Sequence, residues 1–358
     1  MAENTPEIIF QELKGSHGDV GLIVLNRPQA LNALTQTMCV EMSKQLEAWA
    51  QKHEIKGVVI RGAGEKAFCA GGDIRRIYEL GREGDLDRAL NFFQDEYRNN
   101  YRIFTYEKPF IAFMDGITMG GGVGISIHGS HRIVTERTLF AMPETGIGFF
   151  PDVGGSYFLP RCEDEFGTYL ALTGARLSAA SLMDAKLGDA AVMSHHLDEL
   201  LNALLEKNFG HHPHEAVNEV LKQFSISIEP SSDFKTHRAV IKECFAHEEV
   251  ESILDALNAH HHPWCEEVIA QLSTKSPSSL KITLKQLRQG VSLDMAACLD
   301  MEYGLCQHFL KSKDFYEGVR AQLVDKDKNP RWDPPQLKEV TEEAVSQYFS
   351  AEKHLSFS

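Results

Sequence analysis

Phe110-Ile-Ala-Phe-Met114-Asp-Gly-Ile-Thr-Met-Gly120-Gly-Gly-Val-Gly124 decides the architecture of this 358-residue chain. Phe110–Met114 is a short apolar run of strand length, and the glycine run Gly120-Gly121-Gly122 ends it where a helix can begin near Gly121. Outward from it, Val20–Leu25, Gly57–Ile60 and Arg132–Val134 are further strand candidates. The first two are bounded by the turn formers Asn26-Arg27-Pro28 and Gly62-Ala63-Gly64. Between those two, Thr35 is placed to cap a helix whose Met38, Met42, Leu46 and Trp49 share one face. Strands alternating with helices predict an α/β core.

Past about Ser194 the strand signal fades. Asp198–Leu205, a segment opening at Ser231-Ser232-Asp233, Leu280–Arg288 and Met295–Leu310 read as helices. The expected plan is a core over 1–195 followed by a helical region over 196–358 packed on it. Lys+Arg 36 against Asp+Glu 51 leaves a net charge of −15, which argues against nucleic acid, since no basic field exists to displace counterions. No apolar run reaches the roughly 20 residues of a bilayer span, so no membrane role is expected. The start, Met1-Ala-Glu-Asn-Thr-Pro-Glu, has neither a basic n-region nor an Arg-rich presequence, and the seven cysteines are scattered. Both features predict a cytoplasmic protein with reduced thiols.

Three glycine-rich places, Ala70-Gly71-Gly72-Asp73, Met119–Gly124 and Asp152-Val153-Gly154-Gly155, fit neither a P-loop nor a dinucleotide fingerprint. Two readings are open for them: tight turns, or backbone N–H groups offered to an oxyanion. Glu144 and Asp152 are isolated acids among Met142, Ile147, Phe149 and Phe150. An acid there is either a buried cap or turn residue, or a carboxyl whose desolvation raises its pKa toward proton-transfer range.

Asn26-Arg-Pro-x-x-x-Asn32-Ala-Leu34, Ala67-Phe-Cys-Ala70-Gly-Gly-Asp73-Ile74, Gly116-Ile-Thr-Met-Gly120-Gly-Gly122 and Pro143-Glu144 together resemble the crotonase superfamily of acyl-CoA enzymes. The run Ala141–Arg161, Phe92-Phe-x-x-Glu96-Tyr97 and the tail Asp314–Trp332 resemble its 3-hydroxyisobutyryl-CoA hydrolase branch. The resemblance covers about Gly21 to Val340 and is weakest between roughly 190 and 275. It implies a crotonase-type ββα spiral core with a helical C-terminal half. It also implies an acyl-CoA substrate whose thioester carbonyl is held by the N–H groups of Gly72 and Gly121. Glu144 and Asp152 would carry the chemistry, and Glu96, Ala70 and Asp73 would contact substrate. The implied reaction is hydrolysis of 3-hydroxyisobutyryl-CoA or a related short 3-hydroxyacyl-CoA, as in valine degradation. No metal or separate cofactor is expected, CoA being part of the substrate, and a homo-oligomer is left open.

Gly124 separates the alternatives. Enoyl-CoA hydratases and dienoyl-CoA isomerases of the same superfamily carry a carboxylate where this chain has Gly124, and a glycine offers no acid–base help at a second carbon. A non-catalytic scaffold is the remaining reading, opposed by the retained Glu144/Asp152 pair. Arg27, Lys66, Arg75, Arg76, Lys326 and Lys328 are candidates for the CoA phosphates. The histidines at 195–196, 211–214 and 260–262 lack zinc spacing and read as surface residues. Cys69, with no base or cation beside it in sequence, reads as packing.

Overall fold

The computed structural model describes residues 5–228 and 232–357. Ser231, expected within a helix start, lies outside them, and the helix there runs over Ser232–Cys244. The strands in chain order are β1 (Ile8–Leu13), β2 (Asp19–Leu25), β3 (Ile55–Gly62), β4 (Ala67–Cys69), β5 (Phe110–Met114), β6 (Ile117–Met119), β7 (His131–Val134), β8 (Leu139–Ala141), β9 (Leu177–Ser178) and β10 (Ala190–Ala191). They form a six-stranded sheet in the order β1-β2-β3-β5-β7-β10 and a four-stranded sheet in the order β4-β6-β8-β9. In the larger sheet β1 is antiparallel to β2, and every later pair is parallel.

From β3 to β8 the two sheets alternate along the chain. β3, β5 and β7 of the large sheet are each followed by β4, β6 and β8 of the small one. Helices α2 (Ile74–Arg82) and α3 (Leu86–Phe104) follow β4, and α4 (Gly121–Ile127) follows β6, whereas α1 (Gln36–Gln51) joins β2 to β3. This strand–strand–helix period is the expected ββα spiral, and the class is α/β. The central strands are largely buried: β5 is buried at every residue and β2 at all but one. Sequence periodicity located these long strands and the Thr35 cap, whose side chain accepts from the Met38 N–H at 3.2 Å. It missed β1 and the short strands of the second sheet, which carry too few residues to show a period.

The chain divides into two compact units: Met1–Gly72, Arg98–Phe140 and Leu177–Ser231 in the first, and Asp73–Tyr97, Ala141–Arg176 and Ser232–Ser358 in the second. That division corrects the linear one expected at residue 195. The helices Leu197–Glu206 and Pro213–Phe224 lie beyond it, yet Leu200, Leu204 and Val217 join Val20, Val59, Ile111 and Phe113 in the core of the first unit. Amphipathic helices go where an apolar sheet face is left open, and here that face belongs to strands far earlier in the chain.

At Gly122, inside α4, an added Cβ would lie 2.1 Å from the Cys69 carbonyl oxygen, a backbone atom. The close approach of α4 to β4 therefore requires a residue without a side chain. Gly122→Ala is expected to lower unfolding free energy by about 1–3 kcal/mol, the usual cost of overpacking. An unchanged urea midpoint would contradict this contact.

Candidate active site

The first unit brings two of the glycine loops together. Gly71 has φ +121°, and a Cβ there would stand 3.4 Å from the Met119 carbonyl oxygen and 3.7 Å from the Gly121 nitrogen. The loop holding Gly72 is thus in contact with the start of α4. Gly120 precedes that helix at φ +49°, so Gly121 opens the first turn, where N–H groups have no intrahelical acceptor. Leu34 bridges to Gly72, and the Leu34 N–H donates to the Gly71 carbonyl at 2.8 Å, which pins the loop from the other side. Cys69 is fully buried and packs beneath Gly122, in keeping with its reading as a packing residue. The Ala70 N–H is spent on the Leu31 carbonyl at 3.0 Å.

The second unit collects the acids. α3 buries Ala89, Phe92, Phe93, Glu96 and Tyr97 on one face, so Glu96 projects inward, only 2% exposed. Glu144 starts a 3₁₀ turn, Glu144–Ile147, immediately after Pro143, and the turn closes at Gly148 with φ +67°. A Cβ on Gly148 would fall 2.2 Å from the Asp314 carbonyl oxygen, so the Asp314–Trp332 motif packs directly on the turn carrying Glu144. Asp314 is itself clamped, accepting from the Ser276 hydroxyl at 2.5 Å and the Asp333 N–H at 2.8 Å. Asp152 follows Phe149-Phe150-Pro151. Phe149 stacks on Phe93 at 5.5 Å and contacts Phe150, Phe309 and Phe315, which makes the surrounding shell aromatic.

Electrostatics follow from that shell. Burial, then the Asp152 and Glu144 charges, holds the Glu96 carboxyl well above its ordinary range. Burial and then Asp152 do the same to Glu144. Burial pushes Asp152 up to about 7, although the Tyr97 hydroxyl, which donates to its Oδ2 at 2.8 Å, pulls it back. Asp152 raises both glutamates, so its ionisation opposes theirs. Glu96 Oε1 and Glu144 Oε2 are buried without a hydrogen-bond partner. Such orphaned oxygens are costly unless a substrate or water completes them.

Three residues that the sequence reading passed over take part. Tyr97, beside Glu96, holds Asp152. Cys306 stands 3.1 Å from the Tyr97 hydroxyl, and Glu302 accepts from the Gly154 and Ser156 N–H groups at 2.8 and 2.9 Å. The available signal was Glu302 itself, a single acid on the buried side of the helix Met295–Phe309. Asp73, expected at the substrate, caps α2, accepting from the Arg76 N–H at 3.3 Å. Arg27 is engaged by Glu7 at 3.1 Å, and Arg75 and Arg76 by Glu79. The clustered histidines are exposed or half-buried, as expected. Among the described residues no helix is long and apolar enough to cross a membrane.

The family model for enoyl-CoA hydratase/isomerase matches residues 20–349. The 3-hydroxyisobutyryl-CoA hydrolase, mitochondrial, of Gallus gallus is 43% identical over 349 residues, 97% of this chain and 89% of that protein. The human protein of the same name is 43% identical over 96% of this chain and 89% of its own length. A crystal structure of a carnitinyl-CoA dehydratase from Mycobacterium thermoresistibile superposes with a TM-score of 0.90, at 38% identity and 99% coverage of both chains. These relatives overturn the cytoplasmic expectation: the curated ones are named as mitochondrial, and the composition of the first few residues was too thin a basis for a location. With its ββα spiral, its paired glycine loops and its buried acids, the chain belongs to the enoyl-CoA hydratase/isomerase superfamily, in the 3-hydroxyisobutyryl-CoA hydrolase family.

Proposed function

We propose that Glu144 and Asp152 divide the thioester hydrolysis between them, that the N–H groups of Gly72 and Gly121 receive the carbonyl oxygen, and that Glu96 reads the substrate's 3-hydroxyl. The observation that carries this reading is a buried acid group with no cation paired to it among the described residues: Glu144 with an unpartnered oxygen, and Asp152 gripped by Tyr97 and pushed up to about 7 by burial. Glu144 attacks the carbonyl carbon, negative charge collects on the carbonyl oxygen, and collapse expels CoA thiolate and leaves a mixed anhydride. Asp152 then takes a proton from water, whose oxygen cleaves the anhydride and regenerates the Glu144 carboxylate. Side chains, backbone and water suffice for every step, so no cofactor is invoked. Gly124 supports hydrolysis over hydration, because a second acid is missing where addition to a C=C bond would need one. Such an activity serves the breakdown of valine, whose carbon skeleton passes through this thioester.

An orphaned buried oxygen on Glu96 suits a hydroxyl donor, and leaving such a hydroxyl unpaired is expensive. Glu96→Gln is therefore expected to erode discrimination between 3-hydroxyacyl and plain acyl-CoA, read as the ratio of their kcat/KM values. Glu144→Ala is expected to abolish release of free thiol while CoA still binds, and Asp152→Asn to lower kcat by at least about 100-fold at similar KM. Single-turnover hydrolysis in ¹⁸O-water should place label in the peptide containing Glu144. Label confined to the acid product would exclude water attack at the Glu144 carbonyl, leaving either attack at the acyl carbonyl of the anhydride or Glu144 as general base toward water. Full activity in Glu144→Ala would end both versions.

Because Asp152 must be ionised to accept a proton and burial holds it at about 7, kcat should rise with pH through that value. In Asp152→Asn the rise should vanish. A flat profile between pH 5 and 8 in the wild-type protein would exclude Asp152 as the base.

For the CoA phosphates, the second unit offers a groove of about 770 Å³ lined by Arg82, Lys311, Lys313, Arg320 and Arg331 with Tyr78 and Tyr316. Arg320 is tied to Glu317, Asp325 and Asp327, whereas among the described residues neither Arg82 nor Arg331 forms a side-chain ion pair. Replacing both by alanine is expected to weaken CoA binding by about tenfold and to flatten its salt dependence, measured by calorimetry at several ionic strengths. Unaltered affinity would return the assignment to Lys66, Lys326 and Lys328.

A further inference from the structure

We propose that Glu302 is a positioning residue for the hydrolysis, holding the segment Pro151–Ser156 so that Asp152 keeps a fixed place. This rests on the role given above to Asp152. The Glu302 side chain is wholly buried and both of its oxygens are used. Oε2 accepts from the Gly154 N–H at 2.8 Å, and Oε1 from the Ser156 N–H at 2.9 Å and from the Ser156 hydroxyl. These donors lie two and four residues after Asp152, so the carboxyl grips the backbone immediately beyond it.

That backbone needs gripping. Val153 has φ +53°, in the left-handed region that β-branched residues rarely enter, and Gly154 follows at φ +84°. Left to itself the segment would relax, and Asp152 would swing with it. Gln286 secures the near side, its Nε2 donating to the Pro151 carbonyl at 2.7 Å. One helical turn beyond Glu302, Cys306 meets the Tyr97 hydroxyl, which in turn donates to Asp152 Oδ2. The helix Met295–Phe309 therefore holds Asp152 at two levels, its backbone through Glu302 and its side chain through Cys306 and Tyr97.

Burying an acid here is expensive. Burial pushes Glu302 up to about 8 against the pull of the Ser156 and Gly154 bonds, and the Asp152 charge adds to the rise. Tyr97, Cys298 and Cys306 feel its charge in return, so it belongs electrically to the same cluster as Asp152. A neutral apolar residue would pack the helix more cheaply, but it could not satisfy two N–H groups pointing at it.

The test is a double-mutant cycle in the full-length protein, read as kcat and KM for hydroxyacyl-CoA hydrolysis, with thermal unfolding as the check on folding. Glu302→Gln keeps the volume but can no longer accept from both loop N–H groups. The expected result is a fall in kcat of about 100-fold with KM changed by less than about threefold. In the Asp152→Asn background the same substitution should cost almost nothing further, because a residue that acts through Asp152 has nothing left to position. Equal losses in both backgrounds, or no loss in the first, would overturn the positioning role. Should Glu302→Gln not fold, Glu302→Asp, one methylene too short to reach both donors, is read in the same way. Full activity in Asp152→Asn alone would instead remove the role of Asp152 itself, so the two failures are told apart.

Discussion

Three carboxyl groups, Glu96, Glu144 and Asp152, are buried together in an aromatic shell, and no cation among the described residues is paired with them. Desolvation disfavours their charges, and the Asp152 charge further disfavours those of Glu96 and Glu144, so all three carboxyls hold protons more tightly than exposed acids do. An arrangement this costly persists only if the surrounding structure overdetermines it. Much of the second unit is organised to that end. Phe93, Phe149, Phe309 and Phe315 exclude water, and the tail motif closes on the Glu144 turn through the backbone approach of Asp314 to Gly148. Glu302, Cys306 and Tyr97 then tie down Asp152.

On the proposed reading, the first unit meets a different demand with different means. Developing negative charge on a thioester oxygen is best met by fixed dipoles that need no reorganisation, and backbone N–H groups are such dipoles. Glycine is required there for approach rather than for flexibility. Gly122 lets α4 lie on β4, and Gly71 lets its loop lie against the start of α4. The side chains around these loops, Cys69 and Asp73 among them, serve packing and capping.

Architecture and reaction separate in this family. A structure titled as a carnitinyl-CoA dehydratase shares the fold at a TM-score of 0.90, and the matching family model is named for hydration and isomerisation. The fold supplies places for side chains; which acids occupy those places sets the chemistry. In this chain Gly124 leaves one such place without an acid, while Glu144 and Asp152 keep theirs. A net charge of −15 says little about an anionic ligand, because a groove lined by Arg82, Lys311, Lys313, Arg320 and Arg331 sets its own local field.

The sequence by itself determined the α/β class, the long strands and the Thr35 cap, because these depend on periodicity and on contacts a few residues apart. Its ordered motifs also carried the family membership, since substrate chemistry constrains residue type at single positions. Only the tertiary structure decided how the chain divides. The helices Leu197–Glu206 and Pro213–Phe224 cover a sheet formed by strands far before them, and no local pattern records which apolar face a helix will find. Tertiary structure alone also revealed Glu302, Cys306 and Tyr97 as partners of the Asp152 segment. Glu302 lies some 150 residues after that segment, and its chemistry comes entirely from burial beside two backbone donors. Desolvation is a property of the packed interior, so a lone acid in a helical sequence acquires its function only when the interior closes around it.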